Sequence, residues 1–303
     1  MKTIINAMSY NVWGSPPKNT TKVYTAWNNP ESIVVTDLDT RGTKVNALLN
    51  GEAIDIAGFQ EVSGNTGWTE WVKSKLDEKY AYVEGNTTDI KSGVYIIYRK
   101  DMLEVLDNGL FWLYDGAPNS PKKYEKSTFQ RICNWGCFRI KKTGEVFVFM
   151  NAHLDTVAEV RPLQATVITS QIPSIVNSVR DKFDVPVCPV ILVGDMNARP
   201  NTEEYEIITS VLQDSIKISS GATEDINLSS CTGCWYCESD ADYNKVGFRI
   251  DYIFVSKDNC SVLNYKMVQT STNISPYGEY SSDHNAVIAQ LEINNNRNDN
   301  RKY

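Results

Sequence analysis

Val190-Ile191-Leu192-Val193-Gly194-Asp195-Met196-Asn197-Ala198-Arg199-Pro200 sets a run of aliphatic residues against an abrupt polar end. Four apolar residues in succession, bounded by Pro189 and Gly194, predict a strand buried on both faces. Gly194 is then expected to turn the backbone, so that Asp195 and Asn197 leave the same strand end and point the same way. A carboxylate beside an amide offers hard oxygen ligands and a hydrogen-bond donor, which suits Mg²⁺ and phosphate better than a soft metal. Taken alone, the pair is equally an Asp/Asn turn between a strand and a helix.

The same pattern recurs along the chain. Ile54 to Phe59 runs into Gln60-Glu61, and Phe147 to Met150 runs into Asn151-Ala152-His153-Leu154-Asp155. Met8-Ser9-Tyr10 leads to Asn11, Asp251 opens the strand Tyr252-Ile253-Phe254, and Ser281-Ser282-Asp283-His284 precedes a last apolar segment. Both histidines of the chain therefore fall beside carboxylates at strand ends. Histidine moves protons near neutral pH, so His284 with Asp283 and Asp251 makes a candidate base with its orienting acid.

These residues resemble the endonuclease/exonuclease/phosphatase superfamily, the metal-dependent phosphoesterases that include pancreatic deoxyribonuclease and the neutral sphingomyelinases. The resemblance covers Ile5 to Ile293 and rests on six ordered motifs: Tyr10-Asn11-Val12, Gln60-Glu61-Val62, Asn151 to Asp155, Gly194 to Asn197, Ile250 to Ile253 and Ser282-Asp283-His284. It implies a four-layer α/β sandwich, two packed and mainly antiparallel sheets flanked by helices. It also implies Mg²⁺ or Mn²⁺ held by Glu61 with Asn11 and Asp283, and Asp195 and Asn197 positioning water and phosphate. His284, held by Asp251, would polarise the attacking water, and His153 would meet the phosphate or the leaving oxygen. Asp195 and His284 both stay open as the general base. Arg131 matches an arginine of bacterial members and is expected to clamp phosphate, with a structural salt bridge as its other reading.

The resemblance also narrows the substrate. Gln60-Glu61-Val62 lacks the Thr-Lys continuation of abasic-site endonucleases, and no Trp-Cys-Asp-Arg element of inositol polyphosphate phosphatases is present. A phosphodiesterase acting on nucleic acid, a small molecule or a lipid is the expected activity. A phosphomonoesterase and a noncatalytic binding domain are the alternatives. The superfamily's proline two residues beyond the last histidine is missing, since Asn285-Ala286 follows His284.

Composition sets further bounds. The 303 residues carry a net charge of −7, which argues against a general polyanion-binding surface. A hydrophobic content of 42% supports a large core, and no apolar run of membrane-spanning length occurs. One domain over residues 1–293 is expected, acting as a monomer, followed by a disordered polar tail over 294–303. The start Met1-Lys2-Thr3-Ile4-Ile5-Asn6 has no apolar stretch of signal-peptide length, so a cytoplasmic protein is expected. A leader removed from the natural start would point to secretion instead.

Helices are expected over Arg41 to Leu49, Trp68 to Leu76, Arg161 to Val179 with Pro173 kinking or splitting it, and Glu203 to Leu212. Leu103 to Leu113 reads as strand, turn, strand about Asn108-Gly109, and Gly136 to Met150 as a hairpin through Lys142-Thr143-Gly144. Gly14 to about Thr40 reads as a long loop. Cys231, Cys234 and Cys237 lack a local fourth ligand for zinc and read as plain thiols, dispensable for chemistry, with a disulfide as the alternative.

Overall fold

The computed structural model describes residues 3–14, 37–85, 92–115, 119–221, 223–224, 229–231, 249–270 and 281–294. In chain order the elements begin with β1 (Thr3–Asn11), α1 (Leu38–Gly51), β2 (Ile56–Ser63), α2 (Trp68–Ser74), β3 (Tyr80–Val83) and β4 (Ser92–Arg99). There follow β5 (Leu103–Trp112), β6 (Ile132–Ile140), β7 (Val146–His153), α3 (Arg161–Phe183), β8 (Val190–Asp195) and α4 (Glu203–Val211). The described chain closes with β9 (Leu212–Asp214), α5 (Ser215–Ile218), β10 (Thr223–Glu224), β11 (Asp251–Ser256), β12 (Cys260–Val268) and β13 (Ala286–Ile293).

Two sheets form, a seven-stranded one in the order β10-β12-β13-β1-β2-β4-β3 and a six-stranded one in the order β5-β6-β7-β8-β11-β9. Most pairs are antiparallel, while β1 with β2, β7 with β8 and β10 with β12 run parallel. The all-apolar Val190–Val193 run follows from two-sided burial. Ile191 and Val193 face the other sheet with Ile5, Ile56, Phe149 and Ile253. Val190 and Leu192 face outward, against Ile168 and Ile175 of α3 and Ile208 of α4. On the opposite flank, α1 and α2 cover the first sheet, with Val45, Leu49 and Trp68 packed on Met8, Phe59 and Tyr95. The four layers expected from the sequence are the layers found, and among the described residues no helix is long and apolar enough to cross a membrane.

Several local expectations change. Leu103 to Trp112 is one continuous strand along β6, with a bulge between Val105 and Asp107 and no turn at Asn108-Gly109. Gly109 is small there for another reason: a Cβ would come within 2.9 Å of the Trp135 indole across the pair. Gly194 likewise makes no turn. It lies within β8, where a Cβ would stand 2.1 Å from the Ala152 carbonyl oxygen of β7. The chain bends after Asp195 instead, at Asn197 with φ 49°. Pro173 sits inside an unbroken α3. At the front of α1, Asp37 accepts from Thr40 N at 2.8 Å, and this cap starts the helix earlier than its apolar spacing suggests. Most of the Gly14 to Thr40 loop, nearly all of the tail, Cys234 and Cys237 lie outside the described residues.

The sheets are joined by more than apolar packing. Asn151 of β7 donates across the core to Phe59 O at 3.0 Å and Tyr95 O at 2.8 Å, and its Oδ1 accepts from Gln60 Nε2 at 2.7 Å. These carbonyls are free for Asn151 because the β2–β4 register slips between Phe59 and Val62. Asn134 of β6 repeats the device, donating to Val83 O and Val94 O at 3.1 and 3.0 Å. Replacing Asn151 with Ala removes the side-chain donor of two buried carbonyls, Phe59 O and Tyr95 O, and one of the acceptors of the Gln60 amide. The expected cost is about 2–4 kcal/mol, read as a lowered urea midpoint at unchanged m-value.

Candidate active site

Parallel and antiparallel pairing bring the six motifs to one end of the sandwich. The C-terminal ends of β1, β2, β7 and β8 point there, as do the N-terminal ends of β6, β11 and β13 because those strands run the other way. Register places His153 beside Asp195 and Asp195 beside Asp251 across three adjacent strands.

Asn11, fully buried, joins the two sheets at this end. Its Nδ2 donates to Glu61 Oε1 at 3.1 Å and to Asp195 Oδ2 at 2.9 Å, and its Oδ1 accepts from Trp13 N at 2.9 Å. Glu61 occupies the β2 bulge with φ 61°, and Gly14 N donates to its Oε2 at 2.6 Å. Trp13 and Asn197 also have positive φ, 58° and 49°. Three residues other than glycine in this region, each costing about 1 kcal/mol or more, flank the site and aim its side chains.

His284 Nδ1 lies 2.8 Å from Asp251 Oδ2, and its Nε2 is 3.8 Å from Asp195 Oδ2 and 3.9 Å from Asp283 Oδ1. His153 Nε2 is 3.5 Å from Asp195 Oδ2 and 3.0 Å from Asn197 Nδ2, and the Asn197 amide also donates to Leu154 O. The two rings are driven opposite ways. Burial lowers His153, and the charges of Arg131 and His284 add to this, so the ring is held neutral well below its ordinary value. Burial opposes charge at His284 too, but Asp251 outweighs it with help from Cys231, and that ring is held well above its ordinary value. Asp195 is pushed up to about 7, by burial first and then by the charge of Asp251, with His284 opposing. Asp283, partly exposed, is pushed up to about 6 by burial, with His284 opposing and Glu61 adding to the rise.

Arg131 is buried just ahead of β6, and its charge is felt alongside Glu61, Asp155 and Asp195. Three buried polar atoms here have no hydrogen-bond partner among the described residues: Arg131 Nε, His153 Nδ1 and Asp251 Oδ1. Each such atom costs about 1–3 kcal/mol, so their concentration marks a place shaped to receive a polar ligand. Two donor sets suit a metal. Asp195, Asp251 and His284 bring ligand atoms within 4.8 Å of one another, although the His284–Asp251 hydrogen bond already uses one atom of each. Glu61 and Asp283 supply only oxygen, and their like charges raise the Asp283 carboxyl, a strain that a cation would relieve.

All nine sequence candidates, Asn11, Glu61, Arg131, His153, Asp195, Asn197, Asp251, Asp283 and His284, thus meet at one end. Other participants left no motif. Ser230 Oγ accepts from the Ile250 and Asp251 amides, and Asn285 donates to Ser229 O and accepts from Thr270 N. Asn285 thereby holds the turn where the superfamily has its proline. Cys231 pairs with His284 as an isolated backbone bridge and adds to the rise of that imidazole, so this cysteine lies beside the site after all. Arg41 of α1 lies buried between the Trp13 and Trp68 rings, at 5.0 and 5.2 Å from their centroids. It donates to Ser281 O at 2.9 Å, to Trp13 O at 2.8 Å and to Val12 O. One guanidinium therefore ties the loop after Asn11 to the loop before Asp283.

The chain matches the Endonuclease/Exonuclease/phosphatase family over residues 8–284, and it belongs to that family of metal-dependent phosphoester hydrolases. No curated protein sequence matches it significantly. Among solved structures, an endonuclease/exonuclease/phosphatase family protein from Bacteroides thetaiotaomicron superposes with a TM-score of 0.73 at 23% identity, over 97% of this chain and 99% of that one. A mannosyl-6-phosphatase from the same species gives a TM-score of 0.70 at 22% identity, over 95% and 99%. TDP2 of D. rerio, complexed with a single-strand DNA product, gives 0.65 at 16% identity, over 95% and 99%. At these identities the structures share the fold.

Arg41→Ala would strip the Val12 and Ser281 carbonyls of this donor and leave the Trp13 carbonyl with the Trp68 indole alone. Stability is expected to fall by about 3 kcal/mol or more, and Arg41→Lys is expected to recover only part of it because an ammonium cannot reproduce the planar fork. Thermal and urea unfolding of the two variants check this.

Proposed function

We propose that the chain hydrolyses phosphoesters with a Mg²⁺ or Mn²⁺ ion, and that its preferred substrate is a phosphodiester. The carrying observation is Asp195, whose Oδ2 faces His153 Nε2 at 3.5 Å and His284 Nε2 at 3.8 Å while Asn11 ties the same oxygen to Glu61. A phosphoryl group brought there meets a proton acceptor, two imidazoles and an amide donor together.

Glu61 and Asp283 would hold the ion, with Asn11 keeping Glu61 aimed, and the all-oxygen donor set supports a hard cation. When bound, such an ion neutralises charge on the phosphoryl oxygens. Asp195 is the acceptor for the proton of the attacking water. Asp251, bound at Nδ1, holds His284 toward its protonated form, so the ring is poised to donate from Nε2 to a phosphoryl oxygen as charge builds. His153, neutral and steadied by Asn197, serves the phosphate or the leaving oxygen, and Arg131 contributes a further donor. His153 is held neutral, His284 is paired with Asp251, and the charges of Arg131 and the ion are set against those of Glu61, Asp195 and Asp283, a balance that favours the monoanion of a diester over the dianion of a monoester. A phosphomonoesterase is the second reading, drawn from the likeness of fold to the mannosyl-6-phosphatase.

Hydrolysis of bis-(p-nitrophenyl) phosphate is expected to stop in EDTA and return with Mg²⁺ or Mn²⁺. Glu61→Gln should raise the metal concentration required by at least about tenfold, and full activity of that variant at low Mg²⁺ would take the ion away from Glu61. Asp195→Asn and His284→Ala should each lose at least about 10²-fold in kcat, and Asp251→Asn a smaller factor. An Asp195→Asn enzyme that keeps its kcat would sink the assignment of the proton acceptor. Faster turnover of p-nitrophenyl phosphate than of the diester would favour the monoesterase.

A further inference from the structure

Among the described residues four large apolar side chains are well exposed: Ile4, Leu163, Val211 and Phe129. Isolated aliphatic residues on a surface call for no explanation. Phe129 differs in kind and in place. It is the one aromatic of the four and the most exposed, at 53%. Its ring has the buried Arg131 guanidinium 5.4 Å from its centroid, and the charge of Arg131 is felt alongside Glu61, Asp155 and Asp195.

The segment that carries Phe129 is fastened to the loop leaving His153. Phe129 N donates to Asp155 Oδ2 at 3.4 Å, the Thr128 and Thr156 hydroxyls meet at 3.5 Å, and Lys126 pairs with Glu159. Asp155 is itself fixed, since its Oδ1 accepts from Val157 N at 3.0 Å and its amide donates to Gln164 at 2.8 Å. A half-exposed ring is thus held on the rim of the site, two residues from Arg131. The buried Nε of Arg131 has no hydrogen-bond partner among the described residues, which independently points to a polar ligand at this spot.

We propose that Phe129 is a specificity-determining platform, on which an aromatic ring carried by the phosphate ester, aryl or nucleobase, stacks while Arg131 and the site below hold the phosphate. The cation beneath keeps the ring in place before binding, so little order is lost when a second ring covers its exposed surface. The acidic chain then needs no broad basic surface to select its substrate, because a flat apolar contact adds selectivity where phosphate charge alone gives none. This inference rests on the phosphoesterase reading for the position of the phosphate.

The test uses the full chain with Mg²⁺ and measures, by calorimetry, binding of phenylphosphonate, methylphosphonate and mannose 6-phosphate to the natural protein, Phe129→Ala and Phe129→Trp. Phe129 is exposed, so neither substitution disturbs the core. Phe129→Ala is expected to weaken phenylphosphonate by about two- to tenfold, the usual range for one aromatic pair, and to leave methylphosphonate and mannose 6-phosphate within about twofold. Phe129→Trp is expected to restore or improve phenylphosphonate binding. Equal weakening of all three ligands would overturn the platform, since Phe129 would then act only by steadying Arg131. Unchanged phenylphosphonate binding in Phe129→Ala, or no phosphonate binding by the natural protein, would overturn it as well. Expected binding ratios in a protein that hydrolyses neither p-nitrophenyl substrate would remove the hydrolase reading and leave the platform standing. Hydrolysis with no Phe129 dependence would do the reverse.

Discussion

Everything at the reacting end depends on a polar seam running through an otherwise apolar interface. Two sheets packed only by aliphatic side chains have many nearly equivalent ways to slide, because dispersion contacts have little direction. Asn151 removes that freedom by bonding to two backbone carbonyls of the facing sheet and to Gln60. Asn11 does the same at the reacting end, reaching Glu61 in its own sheet and Asp195 in the other. The site is divided between the sheets, with Asn11, Glu61, Asp283 and His284 contributed from one and Arg131, His153, Asp195 and Asp251 from the other. A shift of one sheet by a fraction of a residue would separate the halves, and the buried amides oppose that shift with bonds that would otherwise go unmade.

The same division explains how so many carboxylates coexist. Asp195, Asp251 and Asp283 lie close together, and burial together with like charge raises Asp195 and Asp283. His284 offsets this by being charged and bound to Asp251, while His153 stays neutral beside Arg131. Two side chains of one type thereby hold different protonation states a short distance apart, the arrangement from which acid and base roles are built. Backbone strain at Trp13, Glu61 and Asn197 lies in the same region, where the surrounding hydrogen bonds hold it.

Much of this was legible in the amino-acid order. The run Val190 to Val193 announced two-sided burial, and the polar residues closing several apolar runs announced a shared site. Errors came where one residue type has several uses. Asn108-Gly109 has the composition of a tight turn, but its glycine is required by an indole on the neighbouring strand. Gly194 was given a turn when its real constraint is a carbonyl in the next strand. Arg41 looked like an ordinary helix residue, because nothing nearby in sequence reveals that it is buried between two tryptophans.

The sequence by itself determined what repeats locally: alternating and continuous apolar runs, helix spacing, and the chemical types of the nine candidate side chains. Those features depend on neighbours within a few residues, and they can be read one segment at a time. Only the tertiary structure decided which end of the sandwich each residue reaches, that a bulge re-aims Glu61, and which histidine is pushed toward its charged form. It alone set Phe129 above Arg131. Such properties come from distances between atoms that are far apart along the chain. Asn11 and Asp195 are 184 residues apart and share one hydrogen bond, and no local pattern encodes a contact of that kind.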